Sequence, residues 1–465
     1  MNRHLIIGEK ARRSFAFFCQ EFWESADTST PVWNWHMDYL CQVAQQYVST
    51  LFNWQPKGND LIINLPPGTS KSMIFSVLLP AWVLAKRPKT RIITASYSET
   101  IGLELAMKTR NLMQSDKWAL CFPTIQLKAD ENSKGNYKTV QGGGRFVTST
   151  GSNVIGLHGD LLIGDDLQNL DNVWSEKERD RVNRWTTGTL STRKTDKERS
   201  LSIFIQQRLH PQDLTSHLLS LGTPFTLISL PASLDGAPIP SSLSASYING
   251  MLDPVRLSSN VLQQYKLTLG TRNYNAQFLQ RPDDESHSII KRNWIKVISP
   301  EHFEALAQGK EFTYIMDTAY GGDKADFNVV LECVRIDGVL YISRVYRSLE
   351  EFPSFIRSIN TFCTRGKRML IEAKASGKSI IQQLRSSTSF NIQELVPKDS
   401  KLVRLAAVSP TVEGGRVVVV QGPWVDEFLD QVCTNNPPHD DMRDCFTYAV
   451  DDLIKGQSTG VYSWG

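Results

Sequence analysis

The sequence predicts an α/β protein in two parts, the first built on a parallel sheet covered by helices, the second on a mixed sheet. Three observations carry this. In the first half, short apolar runs of strand length alternate with segments of helical period, as in DLIIN followed by MIFSVLLPAWVLA, and RIITASYSE followed by IGLELAMKTRNLMQS. Such alternation asks for parallel strands with both faces buried. From about residue 290 the order changes. Residues 311–348 read strand, loop, strand, Asp-Gly turn, strand, an antiparallel meander, and strand-then-helix units follow at 368–387 and 416–432. Between the halves, residues 234–260 are rich in Ser, Pro and Gly and lack periodicity. The expected division is 1–233, a linker or lid over 234–300, and 301–465.

Length and composition agree with this. A chain of 465 residues makes two or three domains with sizeable cores. A net charge of +3 is too small to argue for nucleic acid, so any DNA-binding surface must be a local patch. The seven cysteines, at 19, 41, 121, 333, 363, 433 and 445, have no metal-type or redox-type spacing and read as reduced thiols in a reducing compartment. Arg3, Lys10, Arg12 and Arg13 mark the N-terminal stretch without the apolar run of a signal peptide. No apolar run approaches the ~20 residues that span a bilayer. The expectation is a soluble, intracellular protein without a membrane partner.

Residues 1–58 carry their apolar and aromatic residues at helical spacing. Trp33, Trp35 and His36 stand before the first strand and are candidates to stack on a nucleotide base, although a Trp-rich helix more often serves a core.

The stretch from Asp60 to Ser72, DLIINLPPGTSKS, organises the first half. Strand, glycine-containing loop, Lys-Ser and helix form the layout of a phosphate-binding loop. Pro67, Gly68, Thr69, Ser70, Lys71 and Ser72 would surround the phosphates, with Lys71 reaching the outer ones and the Ser72 hydroxyl holding Mg²⁺. The usual pattern has glycines at positions 65 and 70, where this chain has Leu65 and Ser70. Taken alone, the stretch reads equally well as a plain strand-to-helix turn with a surface lysine.

Further signals come downstream. Ser96, Tyr97 and Ser98 end a strand, where ligands of parallel sheets sit, or simply form a polar loop. GGGRFVTSTGSNVIGLHG offers Arg145 either as a charge-neutralising finger on a phosphate or as a solvated arginine in a hairpin loop. DLLIGDDLQN places Asp165 and Asp166 after a buried strand. Adjacent carboxylates there are costly to bury without a partner, and Mg²⁺ supplies one. Asp165 would bind it through water, and Asp166 would orient and deprotonate an attacking water. SLSIFIQQRLH is another strand, ending in Gln206, Gln207 and Arg208, where a polar pair could sense a γ-phosphate or simply be solvated.

In the second half, Asp317 and Glu372 end strands, and Asp441 and Asp444 share one face of a helix. These are the ingredients of a two-metal site, where oxygen ligands hold two divalent ions across a phosphodiester. Capping and surface acids would read the same, and the His-Asp-Asp at 439–441 fits a helix start, which weighs against Asp440 as a ligand.

Seven motifs now occur in one order: LIINLPPGTSKS, GDLLIGDDLQN, SIFIQQRLHPQDL, NAQFLQRP, YIMDTAYGGDKADFNVV, LIEAKASGKSIIQQL and HDDMRDCFTYAV. In this the chain resembles the large terminase subunit of tailed bacteriophages, from about His36 to Leu453. The resemblance implies an N-terminal P-loop ATPase domain of the ASCE type joined to a C-terminal ribonuclease-H-like nuclease domain. It implies ATP and Mg²⁺ as cofactors, with Mn²⁺ an alternative at the nuclease site. Lys71 and Ser72 match the Walker A end, Asp165 the Walker B aspartate, Asp166 the catalytic carboxylate, and Gln206 and Gln207 the coupling motif. Asp317, Glu372 and Asp441 match the nuclease triad, with Asp444 as a helper. Relatives with this loop carry arginine and glycine where this chain has Gly68 and Ser70, which turns attention to a finger from elsewhere, Arg145 or one from a neighbouring subunit. The implied partners are double-stranded DNA, a small terminase subunit, the portal protein of the procapsid, and copies of the chain in a ring on the portal. The implied location is the host cytoplasm and transiently the procapsid, not the mature virion. Lys374, Lys378, Lys398, Lys401 and Arg404 flank the nuclease motifs as a candidate DNA patch, or as ordinary solvated cations.

Two rival classes remain at this point. A helicase-nuclease of DNA repair would show further helicase motifs and a second phosphate-loop domain, and neither is visible. A non-hydrolysing nucleotide-binding module is favoured by the missing glycines and opposed by Lys71-Ser72, Asp165-Asp166 and the nuclease acids.

Overall fold

The computed structural model describes residues 3–455 apart from 155, 283–287, 319–326, 373–380, 387, 398, 435, 436 and 438. Gly321, Gly322, Lys374, Lys378 and Lys398 lie outside the described residues. The chain divides into two compact units, residues 1–266 with 271–283, and residues 267–270 with 284–465. Most of the segment expected as a linker or lid, up to residue 266, belongs to the first unit.

The first unit holds eight strands: β1 (Asp60–Asn64), β2 (Arg91–Ser96), β3 (Leu127–Asn132), β4 (Asn136–Thr139), β5 (Gly144–Ser149), β6 (Leu161–Asp165), β7 (Leu201–Gln206) and β8 (Phe225–Ser229). They form one sheet in the order β3-β4-β5-β2-β6-β7-β1-β8, parallel from β5 to β8, with β3 and β4 antiparallel at one edge. The parallel part follows from the apolar runs, which are buried on both faces. In β1, Leu61 and Ile63 enter one core and Ile62 the other, as the two-residue period of a strand requires. The larger core is built by the predicted N-terminal helices, Phe15–Ala26 and Trp35–Phe52, whose Phe15, Phe18 and Phe22 meet Trp82, Trp118 and Phe122. The Ser14 side chain starts the first of these helices by accepting from the Phe17 N–H at 3.2 Å.

One strand, β7, separates the loop strand β1 from the aspartate strand β6, which is the ASCE arrangement. It brings the carboxyl ends of all three together: Asp165 stands opposite Ile205, and Asn64 opposite Gln206.

The sequence expectation for the Gly-rich stretch is corrected in one respect. Gly144–Ser149 is not loop but strand β5, paired with β2 and β4. A Cβ on Gly144 would lie 2.2 Å from the Tyr137 carbonyl oxygen, so glycine there permits the close pairing with β4.

The second unit holds β9 (Lys296–Ile298), β10 (Thr313–Asp317), β11 (Asn328–Ile336), β12 (Val339–Ser348), β13 (Arg368–Glu372), β14 (Asn391–Leu395) and β15 (Val417–Val420). The sheet order is β14-β13-β10-β11-β12-β15-β9. The meander β10-β11-β12 is antiparallel, while β13 and β14 continue parallel to β10. Five consecutive strands in this arrangement form the ribonuclease-H-like core, and the sheet is mixed, as expected. Asp337 and Gly338, with φ of 49° and 79°, close the turn between β11 and β12, where two left-handed residues match the strand twist. The helix Asp441–Lys455 packs across β10, β11 and β12.

Candidate nucleotide site and acidic metal centre

The loop after β1 takes the shape its sequence left in doubt. Gly68 has φ of 77°, and Ser70, directly before Lys71, has φ of 62°. The left-handed turn that glycine usually supplies is therefore present with a serine, at a steric cost of about 1 kcal/mol. The helix that follows opens with a π turn, Met73–Leu78, and continues as Leu79–Lys86. Pro80 explains the wide turn, because its ring cannot donate to the Ser76 carbonyl and crowds it.

This helix sends two hydroxyls to one carboxylate. Ser72 Oγ donates to Asp165 Oδ1 at 3.2 Å and Ser76 Oγ to Asp165 Oδ2 at 2.6 Å. Burial, and next the charge of Asp166, push the Asp165 carboxyl up to about 6, against the pull of Ser76 and Lys71. Asp166 has φ of 43° and so turns its carboxylate out of the strand line. Its Oδ2 lies 3.0 Å from Lys71 Nζ, and its Oδ1 accepts from the Gln207 N–H at 3.1 Å. The loop, the aspartate pair and the two glutamines at the end of β7 thus come together at neighbouring strand ends. Gln206 donates from Nε2 to Thr215 Oγ1, which donates to Asn64 Oδ1 at 3.0 Å, tying β7 to the end of β1. Gln207 Oε1 is buried without a hydrogen-bond partner among the described residues. Ser96 Oγ donates to the Ser98 carbonyl, and Tyr97 N–H to the Asp166 carbonyl at 3.2 Å, so this loop buttresses the aspartate.

Other expectations change. Arg145 is not a finger: it is 2% exposed, and its guanidinium donates to Thr94 Oγ1 at 3.0 Å and Thr109 Oγ1 at 2.6 Å within the core. The physical reason is the strand register of β5, which turns position 145 inward beside Tyr137. Trp33 packs edge-on against Trp23, and the Trp35 indole donates to the Leu252 carbonyl at 3.1 Å, so both rings serve packing. His36 is buried with Nε2 3.3 Å from the Thr69 carbonyl, and burial followed by the Arg256 charge holds it down to about 4, hence neutral. Sequence reasoning missed Arg256 altogether: its Nη1 donates to Ser70 Oγ at 2.6 Å. No local pattern flags an arginine 186 residues from its partner.

The second unit gathers Asp317, Glu372 and Asp444, which offer oxygens within 4.8 Å of one another. Strands β10 and β13 are parallel neighbours, so the carboxylates at their ends stand side by side. Asp444 comes from the helix across the sheet. Glu372 and Asp444 are each 1% exposed. Buried all-oxygen donors of this kind suit Mg²⁺ or Mn²⁺. Asp441, expected as the third acid, has its Oδ2 3.6 Å from Arg347 Nη2, and Asp444, one helical turn on, completes the set. Lys401 and Arg404 grip Asp444, with Lys401 Nζ 2.8 Å from Oδ2 and Arg404 Nη2 2.8 Å from Oδ1. Burial works against the Lys401 ammonium, but its hydrogen bonds to Asp440 and Asp444 hold its pKa above the usual lysine range.

The fold and these two side-chain sets define an α/β protein with a phosphate-loop unit and an acidic, metal-type unit. No family model matches the chain, and no curated protein matches it. Among solved structures, the large terminase of a thermophilic bacteriophage matches with a TM-score of 0.50 at 12% identity, over 88% of this chain and 98% of that one. The fold of this chain is therefore the large-terminase fold. The large terminase of bacteriophage HK97 is 14% identical over 97% of this chain and 100% of that one, with a TM-score of 0.38. The large terminase nuclease of thermophilic phage G20c is 15% identical over 35% of this chain and 96% of that one, with a TM-score of 0.27. Among the described residues, no helix is long and apolar enough to cross a membrane.

Proposed function

We propose that the chain is a viral DNA-packaging terminase large subunit. In this reading the first unit hydrolyses ATP to drive double-stranded DNA into a procapsid, and the second cuts concatemeric DNA. The observation that carries the reading is the convergence of Lys71 and Ser72 with Asp165 and Asp166, 93 residues apart between Ser72 and Asp165, at the ends of β1 and β6. An ordinary strand-to-helix turn has no need for that meeting.

The backbone N–H groups of residues 68–72 would cradle the phosphates of ATP, and Lys71 would exchange Asp166 for a phosphate oxygen. Asp166, then released, would take a proton from an attacking water, with the Gln207 N–H at its other oxygen. Ser72 and Asp165 would hold Mg²⁺ in the first unit, and Asp317, Glu372 and Asp444 would hold Mg²⁺ or Mn²⁺ in the second, with Asp441 one turn away. Bound there, the metal neutralises phosphate charge and stabilises the oxygens of an in-line displacement.

DNA would be held mainly through its phosphates, and binding would weaken steeply with salt. Lys401 and Arg404 belong to the acidic centre in this structure, so their share in DNA binding would follow their release from Asp444. A small terminase subunit, the portal protein and a ring of copies on the portal complete the proposal, in the host cytoplasm and transiently on the procapsid.

The test is plasmid cleavage with Mg²⁺ or Mn²⁺ beside ATP hydrolysis, for wild type, Asp317→Ala and Lys71→Ala. Loss of cleavage alone in the first variant and of hydrolysis alone in the second supports two separate engines. A wild type inactive in both assays, even with procapsids and a small subunit, would leave a non-hydrolysing nucleotide-binding module in its place.

A further inference from the structure

Ser70 stands in a left-handed conformation that a glycine adopts freely and a serine resists. The residue is partly buried, and its hydroxyl has a fixed partner. It accepts from Arg256 Nη1 at 2.6 Å, and Arg256 is itself fixed. Asp253 is 0% exposed and accepts from Arg256 Nε at 2.5 Å and from the N–H groups of Val255 and Arg256, each at 3.2 Å. The preceding Leu252 is buried in the core, and its carbonyl accepts from the Asn34 side chain at 2.9 Å and the Trp35 indole at 3.1 Å. The strap at 252–256, in a stretch without periodicity, is therefore anchored on the N-terminal helical layer and aims one guanidinium at the phosphate loop. His36 closes the same corner, with Nε2 3.3 Å from the Thr69 carbonyl and 3.4 Å from Arg256 Nη2.

We propose that Arg256 is a positioning residue of the nucleotide site, holding the Ser70 hydroxyl so that the loop keeps the turn before Lys71 that glycine would otherwise supply. A glycine at position 70 needs no partner, because the left-handed region costs it nothing. A serine there lasts when its surroundings over-determine it, and the Asp253–Arg256–Ser70 chain of charge-assisted hydrogen bonds does that. The strap thereby sets the direction of the loop N–H groups without touching the substrate. The inference rests on the nucleotide-site reading above.

The test compares the affinity of a fluorescent ATP analogue for the full chain and its Ser70 variants. Ser70→Ala and Ser70→Gly both delete the hydroxyl, but only alanine keeps the demand for a partner. Ser70→Ala is expected to bind about tenfold more weakly than wild type, about 1.4 kcal/mol, and Ser70→Gly to bind severalfold more tightly than Ser70→Ala. Arg256→Ala should lose affinity as Ser70→Ala does, and the Arg256→Ala, Ser70→Gly double variant should recover it. Removing Arg256 strips buried Asp253 of its cation, so if that variant does not fold the Ser70 pair decides alone. Equal binding by wild type and Ser70→Ala, or equally weak binding by Ser70→Ala and Ser70→Gly, overturns the inference. A wild type that binds no analogue overturns the nucleotide-site reading and the inference with it.

Discussion

Lys71 Nζ and Asp166 Oδ2 lie 3.0 Å apart, so the ammonium that would meet the phosphates and the carboxylate that would activate water neutralise each other. In the proposed reaction ATP would compete with that pair, and Asp166→Asn would remove both the competitor and the proposed base. It should keep or tighten ATP-analogue binding while hydrolysis falls by on the order of a hundredfold or more. Lys71→Ala should lose affinity instead. Phosphate release and analogue fluorescence separate the two effects, and an Asp166→Asn variant that hydrolyses normally would remove Asp166 from its role.

Asp444 and Asp441 are distinguishable in the same manner. Asp444 joins Asp317 and Glu372, whereas Asp441 faces Arg347. Calorimetric Mn²⁺ binding should fall further for Asp444→Asn than for Asp441→Asn, since the first deletes a ligand and the second an ion pair. The reverse order would restore Asp441 as the third acid.

Lys401 occupies a position a metal ion would make redundant. Its loss leaves Asp444, among the described residues, with Arg404 for charge compensation, and a divalent ion can replace the missing ammonium. Lys401→Ala should therefore gain more thermal stability from added Mg²⁺ than wild type gains, by mass action on the folded state. Equal shifts in both proteins would show that ammonium and metal do not compete.

Arg145 makes a clean case of core against site. Arg145→Met leaves the Thr94 and Thr109 hydroxyls without their donor in a closed interior. Thermal unfolding should drop by about 2–4 kcal/mol of stability, with ATP turnover at a permissive temperature unaffected beyond the folded fraction. A stable variant with selectively lost turnover would make it a finger after all.

Two buried histidines set an acid limit. His36 is held down to about 4 by burial, then by Arg256, and His210 to about 3 by burial, then by Arg179, Arg272 and Arg208. Both folded values lie below the unfolded value, ordinarily near 6.5. The unfolded chain thus binds more protons below that pH, and stability present at pH 7 is lost as the pH falls toward 4. At pH 5 each histidine should cost about 2 kcal/mol. The first unit should melt at lower temperature at pH 5 than at pH 7, and His210→Gln should shrink the difference. An unchanged difference would mean His210 is already charged in the fold.

Much of this was readable along the chain. The parallel and mixed sheets followed from periodicity, because a strand's two-residue repeat and a helix's longer one are local properties. The Asp-Gly turn at 337–338 was legible for the same reason. Asp441 and Asp444 share a helix face, so spacing could nominate both, and only the way that helix lies across β10 and β11 chose Asp444. Gly143 and Gly144 read as loop although they lead into the half-buried strand β5, because glycine serves close backbone approach as well as turns.

The sequence alone determined the order of elements, and it nominated a phosphate loop and four acids, Asp317, Glu372, Asp441 and Asp444, without joining them. The elements follow from periodicity within each segment, whereas the acids come from two strands and a helix far apart in the chain. The tertiary structure decided that Lys71 meets Asp166, that Arg145 is sealed into the core, and that Arg256 reaches Ser70 from 186 residues away. Those are pairings through space, fixed by strand order and by which face each side chain takes, and no local pattern records them.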